Sequence, residues 1–338
     1  MLKLLYLLLL IISFSSVALN TAERQAIHSA LKKTIEVNYV ESEKVPAILR
    51  SLDNLQNAPT WRAIENKEVL AELLTHTLEK SDTHFSVNQI PTQSEIHAKE
   101  SWFDKLKRKN FGFSAIEILP GNIGYLNVWG FAQTTERAKE KVAAVMKTLD
   151  NSDALIIDLR ENQGGDARMV QLFSSFFLGK KTHLNSFYNR SLNTTVDYWS
   201  EQLPKDKARP RLPLYILVGE KTFSAAEEFA YNFKHLNRAT IIGKRTKGGA
   251  NPWQYFPLPN GFRVAIPTAK AINPITKTNW EGVGVIPHID TREDSAKNVA
   301  YKMALAHLIG LDMQKNNLGY SAKERQEAQS LLFNAKAK

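Results

Sequence analysis

The chain of 338 residues has no cysteine. That absence excludes disulfides, a thiolate nucleophile and a thiolate metal site. Its glycine pairs lack the spacing of a phosphate-binding fingerprint, so no nucleotide cofactor is implied. It has no zinc-ligand set and no interleaving of aromatic with basic residues, so nothing points to nucleic acid. No internal repeat or low-complexity block interrupts it. We therefore expect no metal and no cofactor, which leaves hydroxyl, imidazole and carboxylate groups to carry any chemistry.

Long apolar runs are also scarce. The segment from Leu4 to Ile12 is too short for a comfortable membrane span. Lys3 precedes it and the small residues Ser16-Val17-Ala18 follow it, the pattern of a secretory signal with cleavage after Ala18. The expectation is export to the periplasm or extracellular space, with no stable membrane insertion after cleavage. No cysteine lies near the cleavage site to carry a lipid anchor. The net charge of +10 is scattered apart from Lys105-Leu106-Lys107-Arg108-Lys109 and the C-terminal helices. A solvated basic surface is the simplest account, with attraction to anionic surfaces as the other. An apolar fraction of 43% is ample for a sizeable core. No feature specifies an oligomeric state.

Residues 20–84 read as helical. Asn20 and Glu23 resemble a capping box, and Ile27, Leu31, Ile35 and Tyr39 recur at helical spacing. Residues 88–112 are polar and basic and read as a loop or flexible hairpin. From Phe113 onward, strands alternate with helices. Ile116 to Val128 has a hairpin signature around Pro120-Gly121-Asn122. The apolar runs Ala154 to Leu159 and Leu214 to Val218 have the length and β-branched content of buried strands. This alternation implies βαβ units and a largely parallel sheet. The chain accordingly divides into a signal peptide (1–18), an N-terminal helical domain (19–87), a linker (88–112), an α/β core (113–312) and a peripheral C-terminal helix (313–338).

Groups that act in open α/β sheets gather beyond the carboxyl ends of strands. Two candidates lie there. Gly164-Gly165 follows one strand, and Thr222-Phe223-Ser224-Ala225-Ala226-Glu227 follows the next. Ser224 sits at a strand-to-helix turn, where it suits either a nucleophile or an ordinary N-cap. Gly164 and Gly165 suit either an ordinary turn or backbone donors to an oxyanion, with the Ala225 amide as a second donor. Among the eight histidines, His84 is distinguished only by its setting, Asp82-Thr83-His84 at a helix end.

Four motifs occur in order: Asp158-Leu159-Arg160-Glu161-Asn162-Gln163-Gly164-Gly165, the Ser224 turn, Gly243 to Gly249, and Glu281-Gly282-Val283-Gly284-Val285-Ile286-Pro287. Together they resemble the tail-specific (C-terminal-processing) serine proteases, from about residue 25 to 290. The resemblance implies a crotonase/ClpP-like α/β core with a helical N-terminal domain. Ser–Lys members of that family carry their lysine at the position of Gly249. Lys247 is offset from it by two residues, or roughly 6–7 Å in extended chain. Those members also insert a PDZ domain, for which the stretch between His84 and Phe113 is too short. Both departures point to the branch resembling the tricorn core protease and interphotoreceptor retinoid-binding protein.

That branch implies Ser224 as nucleophile and His84 as base. Thr83 and Glu281 would orient the imidazole, and Gly164, Gly165 and Ala225 would form the oxyanion hole. His288 stands where the motif usually has Asp, a position read as structural. The implied function is an exported serine peptidase acting on a peptide or protein substrate. The alternative is a carrier of retinoid-like or lipid-like ligands on the same fold, and a third reading is an inactive peptide-binding module. Loops 88–112 and 180–212 would shape the cleft.

Overall fold

A computed structural model describes residues 19–91 and 100–334. The expected signal peptide and its cleavage site lie outside them. Helix α1 (Thr21–Asn38) begins with the expected capping box: Asn20 Oδ1 accepts from the Glu23 N–H and the Glu23 carboxylate accepts from the Asn20 N–H, each at 2.9 Å. Helices α2 (Val45–Asn57), α3 (Pro59–Arg62) and α4 (Lys67–Glu79) follow, then the short strand β1 (Ser86–Gln89). The stretch expected to be a loop contains helix α5 (Trp102–Arg108), capped by Ser101 and carrying most of the basic cluster.

Strands β2 (Phe113–Leu119) and β3 (Ile123–Val128) form the expected hairpin. Helix α6 (Glu136–Thr148), β4 (Ala154–Asp158), α7 (Ala167–Ser175), β5 (His183–Asn189), β6 (Thr194–Trp199), β7 (Leu214–Val218), α8 (Ala225–His235) and β8 (Thr240–Gly243) come next. The chain ends with β9 (Trp253–Leu258), β10 (Phe262–Pro267), β11 (Ala269–Ile272), β12 (Ile289–Asp290), α9 (Glu293–Gln314) and α10 (Tyr320–Asn334).

The central sheet has the order β12-β8-β7-β4-β3-β2, parallel throughout except for the edge strand β2. Its central strands β4 and β7 are buried on both faces, which is why they read as continuous apolar runs. Leu155 and Ile157 of β4, and Leu214, Ile216 and Val218 of β7, face one core with Phe173 of α7 and Phe229 and Phe233 of α8. Ile156, Tyr215 and Leu217 face the other with α9, where Ala296, Ala300 and Ala304 repeat every fourth residue. This alternation is the period-two geometry of a strand. The C-terminal helix α10 is docked onto α9 rather than merely peripheral. Its buried Arg325 pairs with Asp312 at 2.6 Å and with Asp153 at 2.5 Å, and Ala328 reaches the α9 core.

Two small antiparallel sheets flank this frame. One is β1-β10-β9, the other β11-β5-β6. The second arises within the segment expected to be loop 180–212. Its polar strands, with β6 exposed along most of its length, offer no hydrophobic alternation. The N-terminal helices share one apolar core with the β9–β10 hairpin: Leu31, Ile35, Leu74 and Phe85 pack with Leu258, Phe262, Val264 and Ile266. That shared core fixes the helical segment, and the turn carrying His84, against the glycine loop between β8 and β9.

Candidate active site

Ser224 adopts φ 55° and ψ −121° at the turn between β7 and α8. A non-glycine residue there is strained, a conformation also found at strand-to-helix turns that present a nucleophile. Buried Thr222 pins the turn: its hydroxyl accepts from the Gly219 N–H at 2.9 Å and donates to the Leu159 carbonyl at 2.8 Å. The Phe223 N–H donates to the Asn162 carbonyl at 3.0 Å. The two β-strand ends are thus stitched together beneath the serine.

The glycine turn after β4 fits tightly against it. A Cβ placed on Gly164 would lie 2.8 Å from Ser224 Cβ, and one on Gly165 would lie 1.8 Å from the Phe131 carbonyl oxygen. Both glycines also have positive φ. The Gly164 N–H donates to Asn162 Oδ1 at 2.8 Å, so it does not face the cleft as an oxyanion donor. The N–H groups of Gly165 and Ala225 donate no hydrogen bond among the described residues. Helix α8 begins at Ala225, so its first amides and its dipole are directed at the same place.

His84 lies on the turn between α4 and β1. It is buried, and its ring packs on Phe223 at 4.7 Å between centroids. Its Nδ1 has no hydrogen-bond partner among the described residues; Asp82 Oδ1 lies 3.5 Å away and accepts from the His84 backbone N–H at 3.0 Å. Asp82 Oδ2 in turn accepts from Asn251 Nδ2 at 3.2 Å. One ligand-type atom from each of Asp82, His84 and Glu281 lies within 4.8 Å of the others, a set that could also hold a metal ion. Thr83 Oγ1 is buried without a partner among the described residues.

Glu281 is held by the glycine loop. Its Oε2 accepts from the Ala250 and Asn251 N–H groups at 2.6 and 3.1 Å. Burial, followed by the charge of Asp82, pushes its carboxyl up to about 8.

Glu227 escaped the sequence reading although it stands in the Ser224 motif. The Ser–x–x–Glu spacing of a capping box was its visible signal. It is fully buried and accepts from the Ser224, Gly248 and Gly249 N–H groups at 2.9, 2.7 and 2.8 Å, and from the Thr246 hydroxyl. Burial raises its carboxyl to about 7 against the pull of those donors. Glu227 therefore clamps the glycine loop to the Ser224 turn. Lys247 is not among the residues lining the cleft; its amine lies 4.5 Å over the Phe223 ring.

Ser224, His84, Gly165 and Ala225 all line one cleft of about 780 Å³. Its outer wall is the face of β6 carrying Thr194, Val196 and Tyr198, with Phe103 of α5 and Trp253 of β9. Segments 88–112 and 180–212 do border the cleft, through a helix and a strand.

Residues 122–291 match the sequence model of peptidase family S41. The chain is 27% identical over 175 residues to carboxyl-terminal-processing peptidase 2 of Arabidopsis thaliana, covering 50% of this chain and 33% of that protein. It is 23% identical over 223 residues to the carboxy-terminal processing protease CtpA of Bacillus subtilis, covering 60% and 46%. The chain thus matches a third to under half of the length of these curated relatives. In fold it is similar to a putative peptidase from Parabacteroides merdae, with a TM-score of 0.60 and 19% identity over 84% of this chain and 97% of the other. The photosystem II D1 C-terminal processing protease gives a TM-score of 0.51 and 14% identity, covering 82% and 94%. Among the described residues no helix is long and apolar enough to cross a membrane.

Proposed function

The chain belongs to peptidase family S41, and from that premise we propose that it is a serine peptidase with a Ser224–His84 catalytic pair. Ser224 Oγ attacks the peptide carbonyl while His84 takes its proton. The developing oxyanion is held by the Gly165 and Ala225 N–H groups. His84 then protonates the leaving amine, and water attacks the acyl-enzyme by the reverse sequence. The imidazolium formed in the first step is favoured by Asp82, 3.5 Å from its Nδ1, and by Glu281 close to both. That leaves Nε2 as the nitrogen that serves Ser224. Thr83 was expected to orient the ring, but its Oγ1 has no hydrogen-bond partner among the described residues, so it is given no role in this reading.

The observation that carries this reading is the convergence of four distant chain segments on one cleft: the α4–β1 turn with His84, the glycine turn with Gly165, the strained Ser224–Ala225 turn, and the loop seating Glu281. Substrates are peptides or proteins. The signal pattern supports export with cleavage after Ala18, and an exported protein whose sequence still begins at Met1 would overturn the cleavage.

A fluorophosphonate probe tests the nucleophile. Wild type should label, and Ser224→Ala and His84→Ala should not, with all three folded by circular dichroism. Absence of labelling in folded wild type would favour a ligand carrier on the same fold. Hydrolysis should be indifferent to EDTA, because the acid–imidazole set works as a proton relay in this reading; loss of turnover on chelation would favour the metal alternative.

A further inference from the structure

Glu228 follows the clamp residue and faces elsewhere. It lies one helical turn after Ser224, its N–H donating to the Ser224 carbonyl at 3.0 Å. Residues four apart on a helix share a face, and their side chains lean toward the N-terminus. Glu228 accordingly lines the Ser224 cleft, although it is only 2% exposed. Its Oε1 has no hydrogen-bond partner, and no cation pairs with it among the described residues. Burial raises its carboxyl to about 8; the Asn185 amide opposes the shift and Asp166 adds to it. Neither the clamp nor the acid pair uses this group.

A buried carboxyl oxygen without a partner is expensive for a fold to keep. Its surroundings describe what would complete it. Phe187, Ala269 and Trp280 supply apolar wall in the same cleft. Such walls suit the methylene stem of a long cationic side chain, and an indole face attracts its charge. Asp166, also in the cleft, adds negative potential, while Arg168 there is exposed to solvent.

We propose that Glu228 is a specificity-determining residue that selects a substrate with lysine or arginine beside the scissile bond. The carboxylate would take the cation, and Asn185 Nδ2, itself buried without a hydrogen-bond partner among the described residues, is free to support its ionised form. This proposal rests on the peptidase reading for its bond-breaking step, though not for binding.

The test therefore separates the two. Binding is measured by fluorescence anisotropy on full-length Ser224→Ala, with labelled peptides that differ only in carrying lysine, norleucine or glutamine at one position. The lysine peptide should bind at least about tenfold more tightly than the norleucine one. Adding Glu228→Gln should bring that ratio close to one while the protein stays folded. Equal binding of lysine and norleucine, preference for glutamine, no binding of any peptide, or a lysine preference that survives Glu228→Gln would each overturn the proposal. Probe labelling of Ser224 in wild type decides the peptidase reading independently.

Discussion

A methyl group on Gly249 would sit 2.7 Å from Cε1 of His84 and 2.1 Å from the Phe223 ring. Gly249 stands where Ser–Lys members of the family are expected to carry their lysine. Here the imidazole and the aromatic ring on which it packs occupy that space. Glycine at 249 and histidine at 84 are thus a matched pair: a side chain at one position excludes the ring at the other.

Gly249→Ala should consequently displace His84. Misplacing a catalytic group by about 1 Å lowers rates by about a hundredfold. We expect a loss of that order in kcat/KM for peptide hydrolysis, and Gly249→Lys should be no better. Retention of wild-type turnover by Gly249→Ala would show that His84 is not the base.

Asp82 should matter as much as Glu281. It lies 3.5 Å from His84 Nδ1 and fixes the turn by accepting the His84 N–H at 3.0 Å. Asp82→Asn keeps the shape while removing charge from the Nδ1 side. It should lower kcat at least about tenfold with little change in KM, as expected when a group stabilises imidazolium only in the transition state. An equal effect on KM would indicate that Asp82 serves substrate binding instead.

Glu227→Ala should damage stability and activity together. It strands three backbone N–H donors and the Thr246 hydroxyl in the interior. Each buried donor left unsatisfied costs about 1–3 kcal/mol. A loss of about 3 kcal/mol or more is expected in urea unfolding, together with loss of serine labelling as the glycine loop comes away from Ser224.

Stability should fall as pH rises from 5 to 8. Burial raises Glu227 to about 7, and Glu228 and Glu281 to about 8, from an ordinary 4.5. Between the unfolded and folded values the folded chain holds more protons. Its stability is therefore greatest below the unfolded value and is lost as pH passes through the folded ones. Urea midpoints from pH 5 to 9 should decline and then level off above the folded values. Glu228→Gln, which cannot titrate, should flatten the decline by up to about 1.4 kcal/mol per pH unit. An undiminished slope in that variant would mean that Glu228 is already ionised.

The local patterns reached most of the α/β frame. Leu214 to Val218 and Ala154 to Asp158 are buried on both faces, so composition and length announce them. Strands β5 and β6 were hidden for the opposite reason: polar residues such as Asn185, Asn189, Thr194 and Thr195 leave no alternation to read. Asp82 was visible only as a neighbour of His84, because what makes it notable is its approach to Glu281 from another part of the chain. The consecutive acids Glu227 and Glu228 look alike in the sequence. The helical rotation between them sends one into the loop clamp and the other into the cleft.

The sequence by itself determined the strand–turn–helix that carries Ser224, the glycine turn at 164 and 165, and the family to which the chain belongs. These depend on local geometry: a run of buried strand, a residue at positive φ, a helix start. Tertiary structure alone decided where His84 arrives. The N-terminal helices have no separate core; they bury Leu31, Ile35 and Leu74 against Phe262, Val264 and Ile266 of the β9–β10 hairpin. That burial, made between residues some two hundred positions apart, sets the imidazole over Gly249 and beside Asp82 and Glu281. No local pattern encodes it, because the hydrophobic effect depends on area removed from water and not on position along the chain.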